Sequence, residues 1–350
     1  MWLFNSSIGR KLVMAVTGLC LVLFVTFHVL MNAVALIWPT AYNQVCEFLG
    51  ANWYALVASA GLGFLFIIHI VYACWLTLQN RKARGNDRYA VTSRPPQVEW
   101  ASKNMLVLGI VILAFLVVHL VQFWAKMQWQ ELRHAELAVL PQLDGVPVLP
   151  AQGTLFLQMA FSQVWTPIVY IIGFIALWFH MNHGFWSMFQ STGWNNQTWI
   201  PRLKKIACWW TTIVVALFIA QAVVFTVRAH QKYYTNSPEL QEQYAETLNA
   251  ATEKLMNDYQ AKDYSFAKKI NTASVTTRTD MIREYLSTDC TEFLVQADQL
   301  LKLYEKRCPT VETKPRLELG GLVEQLKNVF RMHAVELPAQ LTQEQPNTNK

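Results

Sequence analysis

Charged residues are scarce in this sequence: Asp, Glu, Lys and Arg make up 15% of its 350 residues, against about 25% in an average soluble domain. The shortage lies in residues 1–230, which hold 14 Lys/Arg and 6 Asp/Glu, whereas residues 231–350 hold 15 and 17. This composition excludes a disordered protein, a disulfide-rich secreted module and a simple soluble enzyme. Since the net charge of +6 arises entirely in the first region, it is no sign of nucleic-acid binding.

Paired cysteine motifs are absent as well. The six cysteines include no C-x-x-C pair and no C-x-x-C-H string. A zinc ribbon and the covalent attachment site of a c-type haem are therefore excluded.

Long apolar stretches dominate the first region. Five of them are long enough to cross a bilayer, which takes about 20 residues. They are Leu12–Trp38, Trp53–Thr77, Asn104–Ala125, Val164–Met188 and Ile206–Val227. The first is too long for the apolar part of a signal peptide and has no small-residue cleavage site after it, so we expect it to be retained. The sequence predicts an all-α fold, with a five-helix transmembrane bundle over residues 1–230.

Basic residues near the five spans predict the orientation of the bundle. Eleven lie at the N-terminus or in the loops after spans 2 and 4: Arg10, Lys11, Arg81, Lys82, Arg84, Arg88, Arg94, Lys103, Arg202, Lys204 and Lys205. Three lie on the opposite side: Lys126, Arg133 and Arg228. This bias predicts a cytoplasmic N-terminus in a bacterial inner membrane. An odd number of spans then places residues 231–350 in the periplasm.

Histidines inside the bilayer are functional candidates, because an ionisable group there is costly unless it is paired or ligated. Each of the first four spans carries one near its middle: His28, His69, His119 and His180. Because successive spans alternate in direction, His28 and His119 share an outer level, and the other two share an inner level about 10–13 Å away. Two facing imidazoles are the axial ligands of a six-coordinate b-type haem, so the pattern predicts two haems b. A neutral histidine bonded to a neighbouring helix is the alternative for any single one.

Two glycines and one further histidine accompany this pattern. Gly18 and Gly109 each precede an outer histidine by ten residues. A glycine there could let a porphyrin or another helix come close, although glycine is common in membrane helices generally. His183 lies one helical turn from His180, and periodicity alone does not choose between them as a ligand.

The histidines stand in the strings TFHVLMN, IIHIVY, VVHLVQF and, at residues 179–189, FHMNHGFWSMF. In this order they resemble the di-haem cytochrome b subunit of succinate:quinone oxidoreductases and quinol:fumarate reductases. The resemblance covers about residues 1–230. It implies that the fourth ligand is His180 and not His183, with Gly184 at the family's glycine position. It also implies a membrane anchor that passes electrons between menaquinone and an iron–sulfur subunit and an FAD flavoprotein on the cytoplasmic face. Succinate and fumarate would react only on the flavoprotein.

The sequence departs from that family at two acidic positions. Some di-haem fumarate reductases have a glutamate two residues before the fourth ligand, in a transmembrane proton path; Trp178 stands there, so we expect no such path. Relatives also release protons through a glutamate in the outer loop after span 1. Glu47 is the only acidic residue of that loop, at a slightly different spacing. It is our candidate proton acceptor at the quinone site, with a solvated loop residue as the alternative.

Other functions remain open on the sequence alone. One is the cytochrome b subunit of a hydrogenase or formate dehydrogenase, although those families place their ligands differently. Another is a transporter or haem-handling membrane protein whose histidines are structural. Both alternatives keep the membrane domain and differ in what the histidines hold.

The shorter family members lack a counterpart of the polar C-terminal region. Ser237–Pro238 is a helix start signal, and apolar stripes follow at 240–259, 282–304 and 319–332. They predict a helical periplasmic extension over residues 231–336 and a disordered tail over 337–350. We expect the stripes to be buried within the extension, with the loop 127–163 as a second surface and the outer ends of the spans beneath it.

Cys290 and Cys308 belong to this region and would face an oxidising compartment. If one continuous helix joins them, they lie about 27 Å apart, whereas a disulfide needs Cα atoms within about 7 Å. Either the helix is broken or the two do not pair, and the sequence leaves both possibilities open.

Overall fold

The computed structural model describes residues 6–84, 100–194 and 196–342, most of them helical. The chain divides into two compact units. The membrane unit consists of the described residues within Met1–Arg133 and Gly153–Tyr234. The extension unit consists of His134–Gln152 and the described residues from Thr235 onward. The extension is therefore built from two separate stretches of chain.

Helices make up the described part of the membrane unit. In chain order they are α1 (Ser7–Ile37), α2 (Pro39–Ala51), α3 (Trp53–Arg84), α4 (Trp100–His119, continued by a π-helical turn over Leu120–Trp124), α5 (Gln128–Leu132), α6 (Gly153–Phe161), α7 (Trp165–Ser191) and α8 (Trp199–His230), followed by α9 (Tyr233–Asn236). Within the described residues, five helices are long and apolar enough to cross a membrane: α1, α3, α4 with its π-helical turn, α7 and α8, hereafter spans 1 to 5. The predicted set of five apolar helices in an all-α membrane domain is confirmed.

Local sequence signals set the ends of span 1. The Ser6 side chain accepts a hydrogen bond from the Gly9 N–H at 2.9 Å and so caps the first turn. Trp38 ends the helix, because Pro39 cannot donate the next backbone hydrogen bond and instead begins α2. The long apolar run is thus divided into a span and a short helix in the loop that follows.

The spans pack as a bundle in which span 1 contacts spans 2, 4 and 5, and span 3 packs mainly on span 4. Spans 1 and 3 therefore face each other across the bundle, as do spans 2 and 4. Span 5 is tied to span 1 by side chains that reach its backbone. Gln221 donates to the Val29 carbonyl at 2.8 Å. Arg228 donates to the Ala35 and Leu36 carbonyls at 2.8 and 2.9 Å, which satisfies the last turn of span 1.

Spans 3 and 4 pack closely at Gly173, where a Cβ atom would lie 2.5 Å from Cγ of Phe115. We expect Gly173→Ala to destabilise the purified protein by about 1–3 kcal/mol, because the Phe115 ring must leave its position in a packed interface. Thermal unfolding in detergent measures the loss. Gly61→Ala in span 2 is the matched control, since a Cβ there would meet nothing within 4 Å. Equal unfolding temperatures for the two variants would contradict the close packing.

The extension unit is also mainly helical. It contains a 3₁₀ turn (Leu137–Val139), a two-stranded antiparallel ribbon of β1 (Gln142–Leu143) and β2 (Val146–Pro147), then α10 (Pro238–Thr272), α11 (Val275–Tyr285), a π-helical turn (Leu286–Cys290), α12 (Thr291–Arg307), α13 (Lys314–Met332) and α14 (Ala339–Thr342). Helix α10 begins at the predicted Ser237–Pro238 signal. The predicted tail starts at residue 337; its residues 339–342 form α14, and 343–350 lie outside the described residues.

The three apolar stripes of the extension meet in one core. Its fully buried members include Leu248, Leu294, Leu300, Tyr304 and Phe330, each at most 2% exposed. Val146 of the ribbon belongs to the same core, so the loop segment contributes to the interior of the extension.

Arg307 fixes the ribbon to the helices. This side chain is only 4% exposed, and its guanidinium donates to the Leu143 carbonyl at 2.7 Å and the Val146 carbonyl at 3.3 Å. The turn between the strands has positive φ at Asp144 (52°) and Gly145 (73°), as a two-residue hairpin requires. The ribbon is therefore a short, locally encoded hairpin held by one distant arginine.

The two cysteines of the extension do not pair. Cys290 and Cys308 are both buried free thiols, and α12 runs unbroken between them. Burial raises the pKa of each thiol to about 11. Of the two possibilities left by the sequence, the structure therefore shows the continuous helix.

Candidate functional site: two histidine pairs in the bundle

The structure brings the four span histidines together in two pairs. The rings of His28 and His119 lie 5.7 Å apart between centroids, and those of His69 and His180 lie 6.4 Å apart. Each pair joins two spans that face each other across the bundle. We call His28 and His119 the outer pair, and His69 and His180 the inner pair.

Contacts with span 1 give the separation of the two pairs. Thr17 Oγ1 lies 3.1 Å from His69 Nδ1, and a Cβ on Gly18 would lie 3.7 Å from His69 Cε1. Gly109 of span 3 has the corresponding position beside His180, at 3.9 Å. Since His28 lies ten residues beyond Gly18, the two pairs are about 15 Å apart along span 1.

Aromatic side chains surround the outer pair. Phe24 stacks on His28 at 5.4 Å between centroids, while Phe115 and Phe123 flank His119 at 5.9 and 5.3 Å. These rings make an apolar wall around the two histidines. The histidines themselves are half-buried.

The hydrogen bonds of the histidines decide which ring nitrogen is available. His119 and His69 each use Nδ1, facing Tyr170 Oη at 3.2 Å and Thr17 Oγ1 at 3.1 Å. Their Nε2 atoms make no hydrogen bond with any described residue. His180 Nδ1 is buried without a partner among the described residues. His28 differs, since its Nε2 accepts from the Asn32 amide at 3.2 Å.

The donor set fits haem better than a bare metal ion. In the described part of the chain, no group of three or more His, Cys, Asp or Glu side chains could hold a metal ion. A zinc site takes three or four protein ligands, whereas a haem iron needs only axial ligands. Two opposed imidazoles meet that need. Beside Gly18 and Gly109, an added Cβ would meet nothing nearer than an imidazole carbon, at 3.7 and 3.9 Å, which is ordinary van der Waals contact.

The two neighbouring histidines of span 4 have different surroundings. His180 faces His69, whereas the ring of His183 lies edge-on to Trp186, 4.9 Å away between centroids. The choice of His180 as the ligand stays a prediction that ligand replacement can test.

The other two site positions singled out from the sequence lie elsewhere. Glu47 is exposed on α2 and makes no hydrogen bond or ion pair with a described residue. Its role at a quinone site stays a prediction. Trp178 donates from its indole Nε1 to Thr212 Oγ1 of span 5 at 2.9 Å, so this position joins two spans.

Sequence reasoning missed the residues that orient the histidines. These are Thr17, Gln122 and Tyr170, all of which lie within spans. A usable signal was present, because polar side chains in a membrane helix tend to face the bundle interior. Gln122 and Thr17 both stand out in this way from apolar surroundings.

No family model, no curated protein and no solved structure matches the chain.

Proposed function

We propose that this chain is a di-haem cytochrome b that anchors a quinone-linked oxidoreductase of the succinate dehydrogenase and fumarate reductase type in the membrane. The observation that carries the proposal is the pairing of one histidine from each of the first four spans, at two levels of one bundle. The strings around these histidines, which resemble that family, add the partners and the quinone.

The outer pair would hold one haem b and the inner pair the other. When bound, the two haems would supply one-electron transfer across the membrane, between menaquinone and the soluble subunits. The chain's own part is to hold imidazoles at fixed height and direction and to exclude water. The phenylalanines around His28 and His119 serve the second purpose.

The proposed orientation has the N-terminus in the cytoplasm, with the extension in the periplasm of a bacterial inner membrane. Two contacts between basic and aromatic side chains at span ends support an interfacial belt. The Arg10 guanidinium lies 5.6 Å from the Trp75 ring, and the Lys204 ammonium lies 4.2 Å from the Trp186 ring. Such residues are typical of the membrane surface. Arg88 and Arg94, which contribute to the charge bias, lie outside the described residues.

The proposed partners are an iron–sulfur subunit and an FAD flavoprotein bound at the basic, cytoplasmic face. In that arrangement this chain neither binds nor converts a dicarboxylate; it reacts with the quinone and conducts electrons. Glu47, exposed in the outer loop, is the proposed proton acceptor for quinol oxidation on the opposite side.

The test is the haem content and redox partner of the full chain purified from membranes. We expect about two haems per chain, a low-spin six-coordinate b-type spectrum, reduction by a menaquinol analogue, and co-purification of a flavoprotein and an iron–sulfur protein. Absence of haem would overturn the proposal and favour a transporter. If the protein contains haem but co-purifies with a hydrogenase or formate dehydrogenase subunit, only the family assignment is wrong.

A further inference from the structure

A chain of hydrogen bonds runs from His119 into the interface of spans 3 and 4. Tyr170 Oη lies 3.2 Å from His119 Nδ1 and 2.9 Å from Gln122 Oε1. Gln122 Nε2 in turn donates to Thr166 Oγ1 at 3.1 Å. Thr166 is fully buried and Gln122 and Tyr170 nearly so, so these polar groups depend on one another and not on water.

The direction of each bond follows from the number of available protons. The Gln122 amide turns its NH₂ group to Thr166 and therefore its oxygen to Tyr170. The phenol has one hydrogen, which it donates to that oxygen. Towards His119 it can only accept, so Nδ1 of His119 carries the proton and Nε2 carries the lone pair.

The backbone around this chain is unusual. A π-helical turn, Leu120–Trp124, begins directly after His119 and contains Gln122. Such turns are rare and occur frequently at functional sites. Here the π-helical turn lies in the part of span 3 that contains both His119 and Gln122, the residue that holds the phenol of Tyr170.

The inner pair has a different and simpler arrangement. The Thr17 hydroxyl lies 2.9 Å from the Val13 carbonyl and 3.2 Å from the Met14 carbonyl, to which it donates its single proton. It therefore accepts from His69 Nδ1. Each pair thus contains one histidine with a defined tautomer, set by a different hydroxyl group.

We propose that Tyr170, held by Gln122, is a positioning residue that fixes the tautomer of His119 and strengthens its Nε2 as a ligand. The inference rests on the proposed function, because it concerns a ligand of the outer haem. An imidazole whose Nδ1–H is donated to an oxygen is a more basic ligand through its other nitrogen. A more basic ligand favours the oxidised iron and lowers the reduction potential of the outer centre.

The test is a potentiometric titration of the full-length protein carrying Tyr170→Phe, followed by optical and low-temperature EPR spectra. The outer centre is identified as the one missing from His119→Ala. We expect its midpoint potential to become more positive and its low-spin EPR signal to shift, with the inner centre unchanged. Thr17→Val should affect the other centre: the midpoint potential and EPR signal of the inner centre should shift, and those of the outer centre should stay unchanged.

Two controls separate this role from a general structural effect. Tyr72→Phe removes a buried phenol oxygen of span 2 that has no partner among the described residues, and it should leave both potentials unchanged. Thr26→Val removes a hydroxyl of span 1 that bonds only the Val22 carbonyl, and it should likewise change neither.

The outcomes distinguish this inference from the proposed function. If the wild-type protein contains no haem, the proposed function is wrong. Two haems whose potentials and EPR signals are unaffected by Tyr170→Phe would overturn only the role of Tyr170. If Tyr170→Phe does not retain the outer haem, Gln122→Leu is the deciding variant, because it keeps the phenol of Tyr170 but removes the amide that holds it. A smaller positive shift in the midpoint potential of the outer centre would support the role of Tyr170, and no shift would overturn it.

Discussion

Replacing His119 with alanine should leave a protein that binds one haem in place of two. His28 cannot provide both axial ligands, and no other described histidine reaches its ring, so the outer site loses six-coordination. The inner pair lies about 15 Å away along span 1 and should keep its haem. Haem per chain should fall from about two to about one, measured as pyridine haemochrome against protein concentration, while the remaining spectrum stays low-spin.

The complementary variants in span 4 sharpen this test. His180→Ala should lose the inner haem, whereas His183→Ala should keep both, because its ring packs on Trp186. His230→Ala is the matched control, since that ring is exposed and bonds only the Thr226 carbonyl of its own helix. Normal haem content in His119→Ala would refute the outer pair. If His183→Ala loses the inner haem and His180→Ala retains it, the fourth ligand is His183, one helical turn away.

Replacing Phe330 with alanine should strongly destabilise the extension. The ring is completely buried in the core shared by α10, α12 and α13, and truncating such a ring costs about 3–5 kcal/mol. That is a large share of the stability of a domain of this size. Hydrogen exchange followed by mass spectrometry should show lost protection throughout the helices of the extension unit.

Met332, two residues further on the same helix, provides the control. Its side chain is 75% exposed, so Met332→Ala should leave hydrogen exchange unchanged apart from the last turn of α13. If both variants exchange alike, Phe330 does not belong to a packed core and the description of the extension is wrong.

The course of the membrane unit was predictable because its signals are local. Apolar runs long enough for a bilayer gave the five spans, and alternation of direction placed His28 level with His119 without knowledge of any contact. The rotation of each helix about its axis was not predictable. It determines that Tyr170 meets His119 and that Thr17 meets His69, and it depends on packing between spans distant in sequence.

The extension shows the same division between local and distant information. Its apolar stripes predicted helices that bury one another, and the Asp144–Gly145 pair carried a hairpin signal that sequence reasoning passed over. The sequence predicted the loop 127–163 as a second surface for these stripes, but not that its hairpin would place Val146 inside the extension core. The contact depends on Arg307, which follows it in the chain only after two more spans. The role of Glu47 stays a prediction, because a loop carboxylate has no local sequence pattern that reveals its function.

The divided extension also constrains how the chain can be made. His134–Gln152 and the residues after Thr235 share one core, yet spans 4 and 5 lie between them. Only an even number of membrane crossings returns the chain to the same side, and two satisfies this condition. During synthesis the hairpin emerges first and must wait, with Val146 uncovered, until both later spans have inserted and α10 to α13 have followed. A ribosome that stops after span 5 would therefore release all five spans together with a hairpin that lacks the rest of its core.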